Sequence, residues 1–136
     1  MEDLPHPSPW GLQVFVVYRG PKARPVVDMR PLNICIPGDA YPLPRQEGII
    51  ASLAGMRWLG AVDITSAFYQ RLIHPDDRYR TAVVTHRGHE QFAVTVMGCK
   101  TSVQHQQRLM DEELIAKLSW RGASVYVDDI VLVLLI

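Results

Sequence analysis

The sequence predicts an α+β fold, and two patterns carry that reading. Most of the β-type runs are paired across short glycine-containing turns, and helical periodicity is confined to two stretches. In chain order they read hairpin, helix, strand, hairpin, long helix, hairpin, which is the arrangement of an α+β domain. No internal repeat interrupts that order.

The elements follow from local chemistry. Residues 1–10 hold three of the ten prolines and read as an extended or disordered tail, leaving residues 11–136 as the folded part. Leu12 to Tyr18 is β-branched and aromatic, Gly20-Pro21 punctuates it, and Arg24 to Met29 returns as a second strand. From Arg30 to Pro44 the prolines at 31, 37, 42 and 44 forbid long regular elements. Arg45 to Leu53 reads as a short helix with Ile49, Ile50 and Leu53 on one face and Gly55 as its stop. Trp58 to Ile64 reads as a buried strand ending at Asp63, and Ser66 to Arg71 as a short helical turn. Thr81 to Thr85 and Gln91 to Met97 form a hairpin around Arg87-Gly88. From Thr101 to Leu118 the helical period returns, with Val103, Met110, Leu114 and Leu118 near one face and Leu109 and Ile115 beside it. Arg121-Gly122 ends that helix. Val125 to Val127 and Ile130 to Leu135 flank Asp128-Asp129, which the pattern places in a tight turn.

Composition narrows the class. The chain has 136 residues, 48% hydrophobic and 21% charged, within the range of a globular domain. Basic and acidic residues are equal at 14 each, so overall charge indicates no polyanion partner. Between Gly11 and Ile34, however, Arg19, Lys22, Arg24 and Arg30 face a single acid, Asp28, a local excess that suits phosphate or a solvated surface. Cys35 and Cys99 form neither a disulfide framework nor a zinc spacing, which points to a reducing intracellular compartment, cytoplasmic or nuclear. His86-Arg-Gly-His89 reads as a turn. No signal peptide is expected, and the apolar C-terminal run is short and carries two Asp, so no membrane partner is expected.

The chemistry concentrates in carboxylates. Tyr126-Val127-Asp128-Asp129 sits inside an apolar run, and Asp63 ends another. A buried ionised Asp is costly unless it is paired or binds metal. Three carboxylates at the ends of core strands can converge on two divalent cations about 3.5–4 Å apart, the apparatus of nucleotidyl transfer. The bland alternative is that Asp favours turns because its side chain bonds its own backbone.

These residues also carry a family resemblance. Arg24-Pro-Val-Val-Asp-Met-Arg-Pro-Leu-Asn33, Tyr41-Pro-Leu-Pro-Arg45, Val62-Asp-Ile-Thr-Ser-Ala-Phe-Tyr-Gln70, His74-Pro-Asp-Asp77, Thr81-Ala-Val-Val84, Gln107-Arg-Leu-Met110 and Tyr126-Val-Asp-Asp-Ile130 stand in one order and spacing. Together they resemble the reverse transcriptase domain of Ty3/gypsy-type long-terminal-repeat retrotransposons, most like fungal copies. The resemblance implies a partial right-hand polymerase, fingers and palm, that transfers deoxynucleotides to a primer 3′-hydroxyl on an RNA or DNA template. It implies that Asp63, Asp128 and Asp129 are the catalytic carboxylates and hold two Mg²⁺, with Mn²⁺ as a substitute. Arg24 matches the fingers residue that grips the triphosphate, Arg19 a basic residue on the preceding strand, and Tyr126 the aromatic before the Asp pair. Phe68 matches an aromatic gate that excludes a ribose 2′-hydroxyl, against the simpler reading of a core ring. Gln107 and Arg108 read as structural or template-side.

Two departures from the pattern stand out. Thr95-Val-Met-Gly-Cys-Lys-Thr-Ser-Val103 keeps Gly98 but lacks both family prolines. The sequence stops seven residues after Asp129, so the rest of the palm, the thumb and RNase H of a parent polyprotein are missing partners, and these residues alone are expected to be inactive. A non-catalytic truncated retrotransposon relic is the alternative, favoured by the apolar ending Val131 to Ile136. A palm-like nucleotidyl cyclase is a third reading, but it leaves Arg24 to Asn33 and Tyr41 to Arg45 without a role.

Overall fold

The computed structural model describes residues 1–118 and 122–134. Two compact units emerge, Met1–Gly38 with Phe68–Ser102, and Asp39–Ala67 with Val103–Ile136.

In the first unit, strand β1 (Glu2–Asp3) is followed by β2 (Val14–Arg19) and β3 (Lys22–Val27). The last two form an antiparallel hairpin whose two-residue loop is Gly20-Pro21. Gly20 takes φ +61° while proline fixes a negative φ at the next position, the signature of a type II′ turn. Helix α1 (Arg30–Cys35) follows, with Pro31 in its first turn, where a missing N–H costs nothing. The proline-rich stretch thus holds one short helix that composition alone does not suggest. Its entry is tied by Asp28, whose carboxylate accepts from the Arg30 backbone N–H at 3.1 Å and from the guanidinium at 2.8 and 2.6 Å.

A 3₁₀ helix, Ala67–Gln70, starts at the seam in sequence between the two units, and a second, Pro75–Thr81, lies within the first. Strands β5 (Val83–Thr85) and β6 (Gly88–Gln91) pair around His86-Arg87. The returning strand is therefore shorter and earlier than Gln91 to Met97: the loop is His86-Arg87, and pairing resumes at Gly88, opposite Thr85. Strand β1 adds to the free edge of β6, giving the order β1-β6-β5. The segment expected to be an extended or disordered tail thus contributes a strand, held by Glu2 to Arg78 at 3.1 Å and Gln91 at 2.9 Å.

The core of this unit is Leu12, Met29, Leu32 and Val96, with Trp10, Val27, Ile36, Phe92 and Cys99 packed around it. The stretch that lacks the family prolines is shaped by Asn33. Its side-chain amide donates to the Gly98 carbonyl at 2.8 Å and accepts from the Lys100 N–H at 2.7 Å.

In the second unit, helix α2 (Gln46–Ser52) precedes β4 (Trp58–Asp63). Gly55 follows the helix at φ +79°, as a helix stop requires. Ile49 and Leu53 are half-buried but Ile50 is exposed, so the predicted face is only partly used. The long helix is α3 (Ser102–Leu109), a π-helical stretch Met110–Ile115, and α4 (Ala116–Leu118). The π turn shifts the register that simple periodicity assumes.

Strands β7 (Ala123–Tyr126) and β8 (Asp129–Leu134) complete a three-stranded antiparallel sheet in the order β4-β8-β7. Leu135 and Arg121 lie outside the described residues. Gly122 is required here, because a Cβ at that position would collide with the Val133 carbonyl. Every residue of β4 is exposed, which corrects the expectation of a buried strand: β4 is an edge of this sheet, paired on one side by β8. Among the described residues no helix is long and apolar enough to cross a membrane.

Candidate active site

The site is built by one strand register. In the β4–β8 ladder Asp63 stands directly opposite Asp129. Opposed residues of an antiparallel pair share a face, with Cβ atoms about 4.5–5.5 Å apart, and like charges placed so repel. A backbone bond from the Ile64 N–H to the Asp128 carbonyl, 3.0 Å, extends this pairing one step beyond the ladder. Asp63 and Asp129 are exposed and Asp128 is half-buried. The tight turn is made by Val127-Asp128, while Asp129 already belongs to β8 and pairs with Tyr126. Asp128-Asp129 is therefore not the turn pair that the sequence pattern suggests: one carboxylate is in the loop and the other is on the strand.

This turn is strained. Val127 has φ +59°, whereas Asp128 does not, the same pattern that Gly20-Pro21 shows. Gly20 carries no Cβ, but Val127 is β-branched, and such a residue at positive φ is an outlier costing on the order of 1–3 kcal/mol. Strain of this kind clusters where a turn must present a side chain for function. Val127 is buried, and the turn is clamped from below by the fully buried Gln107.

The donor set fits a hard divalent cation, since carboxylate oxygens are what Mg²⁺ prefers. Among the described residues no three His, Cys, Asp or Glu side chains converge as a metal-holding group. Magnesium is commonly held by one or two carboxylates together with substrate phosphates, so a closed protein cage is not what it requires.

Residues 19–134 match the family described as "Reverse transcriptase (RNA-dependent DNA polymerase)". The chain belongs to the reverse transcriptase family. It is 32% identical over 136 residues to the retrovirus-related Pol polyprotein from transposon opus of Drosophila melanogaster, covering 93% of this chain and 13% of that protein. It is 32% identical over 131 residues to the enzymatic polyprotein of cauliflower mosaic virus (strain Strasbourg), covering 93% of this chain and 19% of that protein. The fold agrees. A foamy viral protease-reverse transcriptase solved in complex with an RNA/DNA hybrid superposes with TM-score 0.82 at 22% identity, over 95% of this chain and 17% of that one. The native prototype foamy virus protease-reverse transcriptase gives TM-score 0.75 at 25% identity, over 94% and 17%. The chain thus spans less than a fifth of the length of these proteins.

The remaining candidate residues lie in the first unit. Arg19 and Arg24 are exposed on the β2–β3 hairpin, Arg19 opposite Lys22 and Arg24 opposite Val17. Phe68 is half-buried in the 3₁₀ helix, and its carbonyl accepts from the Arg71 N–H at 3.2 Å. The second unit carries Asp63, Tyr126, Asp128 and Asp129 at one end of its sheet, with Asp129 opposite Asp63 on one side and Tyr126 on the other. Two residues given no individual role from sequence, Tyr41 and Asp111, join Gln107 beneath the turn. Sequence reads Gln107 only as structural or template-side, and in a helix segment that also carries Gln104 and Gln106 nothing in the sequence singles it out.

Proposed function

We propose that this chain is the fingers-and-palm portion of an RNA-directed DNA polymerase of the Ty3/gypsy retrotransposon type. Its substrates on this reading are deoxynucleoside triphosphates and a primer annealed to an RNA or DNA template. The observation that supports it most directly is the Asp63–Asp129 register with Asp128 in the adjoining turn. Two like charges set opposite each other at the end of a sheet are unfavourable in isolation and favourable around a cation.

Asp63, Asp128 and Asp129 are the residues that would hold Mg²⁺, or Mn²⁺ in its place. Divalent ions bound there supply activation of the primer 3′-hydroxyl and neutralisation of the triphosphate charge. The chain's own contribution is positioning, which with charge neutralisation makes up most of phosphoryl-transfer catalysis. Arg24 and Arg19 offer guanidinium groups to triphosphate oxygens, a planar fork suited to phosphate. Phe68 sets the shape against which the sugar of the incoming nucleotide is read.

The test is Asp128→Asn in an enzyme completed with the polyprotein sequence that its relatives carry. Primer extension with Mg²⁺ is expected to vanish while the circular dichroism and melting of the variant stay those of the parent. Substantial incorporation by a folded Asp128→Asn enzyme would reject the assignment.

A further inference from the structure

Beneath the strained turn lies a continuous polar network, all of it within the second unit. The Gln107 carboxamide oxygen accepts from the Val127 N–H at 2.7 Å. Its amino group donates to the Asp111 carboxylate at 3.0 Å and to the Val125 carbonyl at 3.2 Å. The other Asp111 oxygen accepts from the Tyr41 hydroxyl at 2.8 Å. Tyr41 is fixed in turn: the Arg108 guanidinium lies 4.8 Å from its ring centroid, and Asp39 accepts from its backbone N–H at 2.9 Å. Arg108 and Asp39 bond each other at 2.8 and 2.9 Å, which closes the network.

The arrangement fixes the orientation of one amide. Both amino hydrogens of Gln107 have acceptors and its oxygen has a donor, so the carboxamide has a single satisfactory setting. Rotated by half a turn, its amino group would face the Val127 N–H, and its oxygen would face a carboxylate and a carbonyl. Gln107 is 0% exposed, so no water compensates for such a mismatch. The helix supplies the geometry: Gln107 and Asp111 are four residues apart on one face, at the passage from α3 into the π-helical stretch. A valine at φ +59° persists only where its surroundings over-determine it. The bond from its N–H to Gln107 is one such constraint.

We propose that Gln107 is a positioning residue for the Asp128 turn, oriented by Asp111 and Tyr41, and that this network sets the metal affinity of the Asp pair by holding Val127 in the left-handed region. The inference rests on the reading of Asp128 and Asp129 as metal-binding carboxylates. Residues that orient ligands from behind typically change metal affinity by about 10–100-fold when removed.

The experiment uses the isotope-labelled 136-residue chain. Nuclear magnetic resonance reports the φ of Val127 through its three-bond amide coupling and the exchange protection of its N–H. A Mn²⁺ titration reports affinity through paramagnetic broadening of the Asp128 and Asp129 amides. In Gln107→Ala and Asp111→Ala, Val127 is expected to leave the left-handed region, its amide to lose protection, and Mn²⁺ affinity to fall by about tenfold or more. Asp111→Asn keeps an oxygen toward Gln107 and is expected to restore both readouts, which general loss of packing would not do. Should Gln107→Ala fail to fold, Tyr41→Phe, which deletes one hydroxyl, is expected to raise exchange at the Val127 amide while leaving the melting curve nearly unchanged. An unchanged Val127 coupling and protection in the folded Gln107→Ala and Asp111→Ala variants overturns the proposal. So does a shifted coupling with unaltered Mn²⁺ affinity. Absence of broadening at Asp128 in the parent overturns the metal-site reading and the affinity claim with it, an outcome distinct from failure of the network.

Discussion

The carboxamide oxygen of Gln107 and the N–H of Val127 meet at 2.7 Å across a sequence separation of 20 residues. The contact joins a fully buried glutamine to a β-branched residue in a backbone conformation that favours glycine. A double-mutant cycle should expose that coupling. Gln107→Ala is expected to cost less stability in a Val127→Gly background than in the parent, because glycine adopts positive φ without strain. The expected coupling is about 0.5–3 kcal/mol by urea unfolding. Additive losses would show that the amide does not hold the turn.

Phe68 is expected to discriminate by volume. In a completed enzyme, Phe68→Val should raise ribonucleotide incorporation relative to deoxynucleotide, on the order of tenfold or more. Single-nucleotide kinetics measure this as a ratio of kcat/KM values. An unchanged ratio would make Phe68 an ordinary packing residue of its 3₁₀ helix.

Asp28 is expected to titrate low. The side-chain hydrogen bond from Arg30, reinforced by the Arg30 backbone N–H, holds its pKa down to about 2. A depressed carboxyl pKa stabilises the fold above the ordinary value of 3.8, and that stabilisation is lost as pH falls toward 2. A carbon-detected titration of Asp28 should give that low midpoint, and Arg30→Met should return it toward the ordinary carboxylate range. The pair is at the surface, so added salt should weaken the effect.

Gly122→Ala should destabilise the second unit. The new Cβ would strike the Val133 carbonyl, and the Gly122 carbonyl is itself the acceptor for the Val133 N–H at 2.6 Å. A cost of about 1–3 kcal/mol by chemical denaturation is expected for overpacking against backbone.

Several features of this chain are determined by residues that are neighbours in sequence. Gly20-Pro21 makes the first hairpin turn because one residue accepts positive φ and the next has φ fixed by its ring. The apolar runs around Asp63 and around Asp128-Asp129 make strands, and the order of elements makes the class α+β. Tertiary structure decided what depends on who pairs with whom. Trp58–Asp63 is as apolar as a core strand, yet it is an exposed edge, because composition reports what a strand tolerates and not whether a layer covers it. Glu2–Asp3 became a strand only because β6 offered it a free edge. Asp129 joined the ladder opposite Asp63 because register is set across strands that lie far apart in the chain. The same holds for Gln107: its spacing places it on a helix, but only the fold brings Val127, Asp111 and Tyr41 around one buried amide, whose donors and acceptor must all be met where no water can reach.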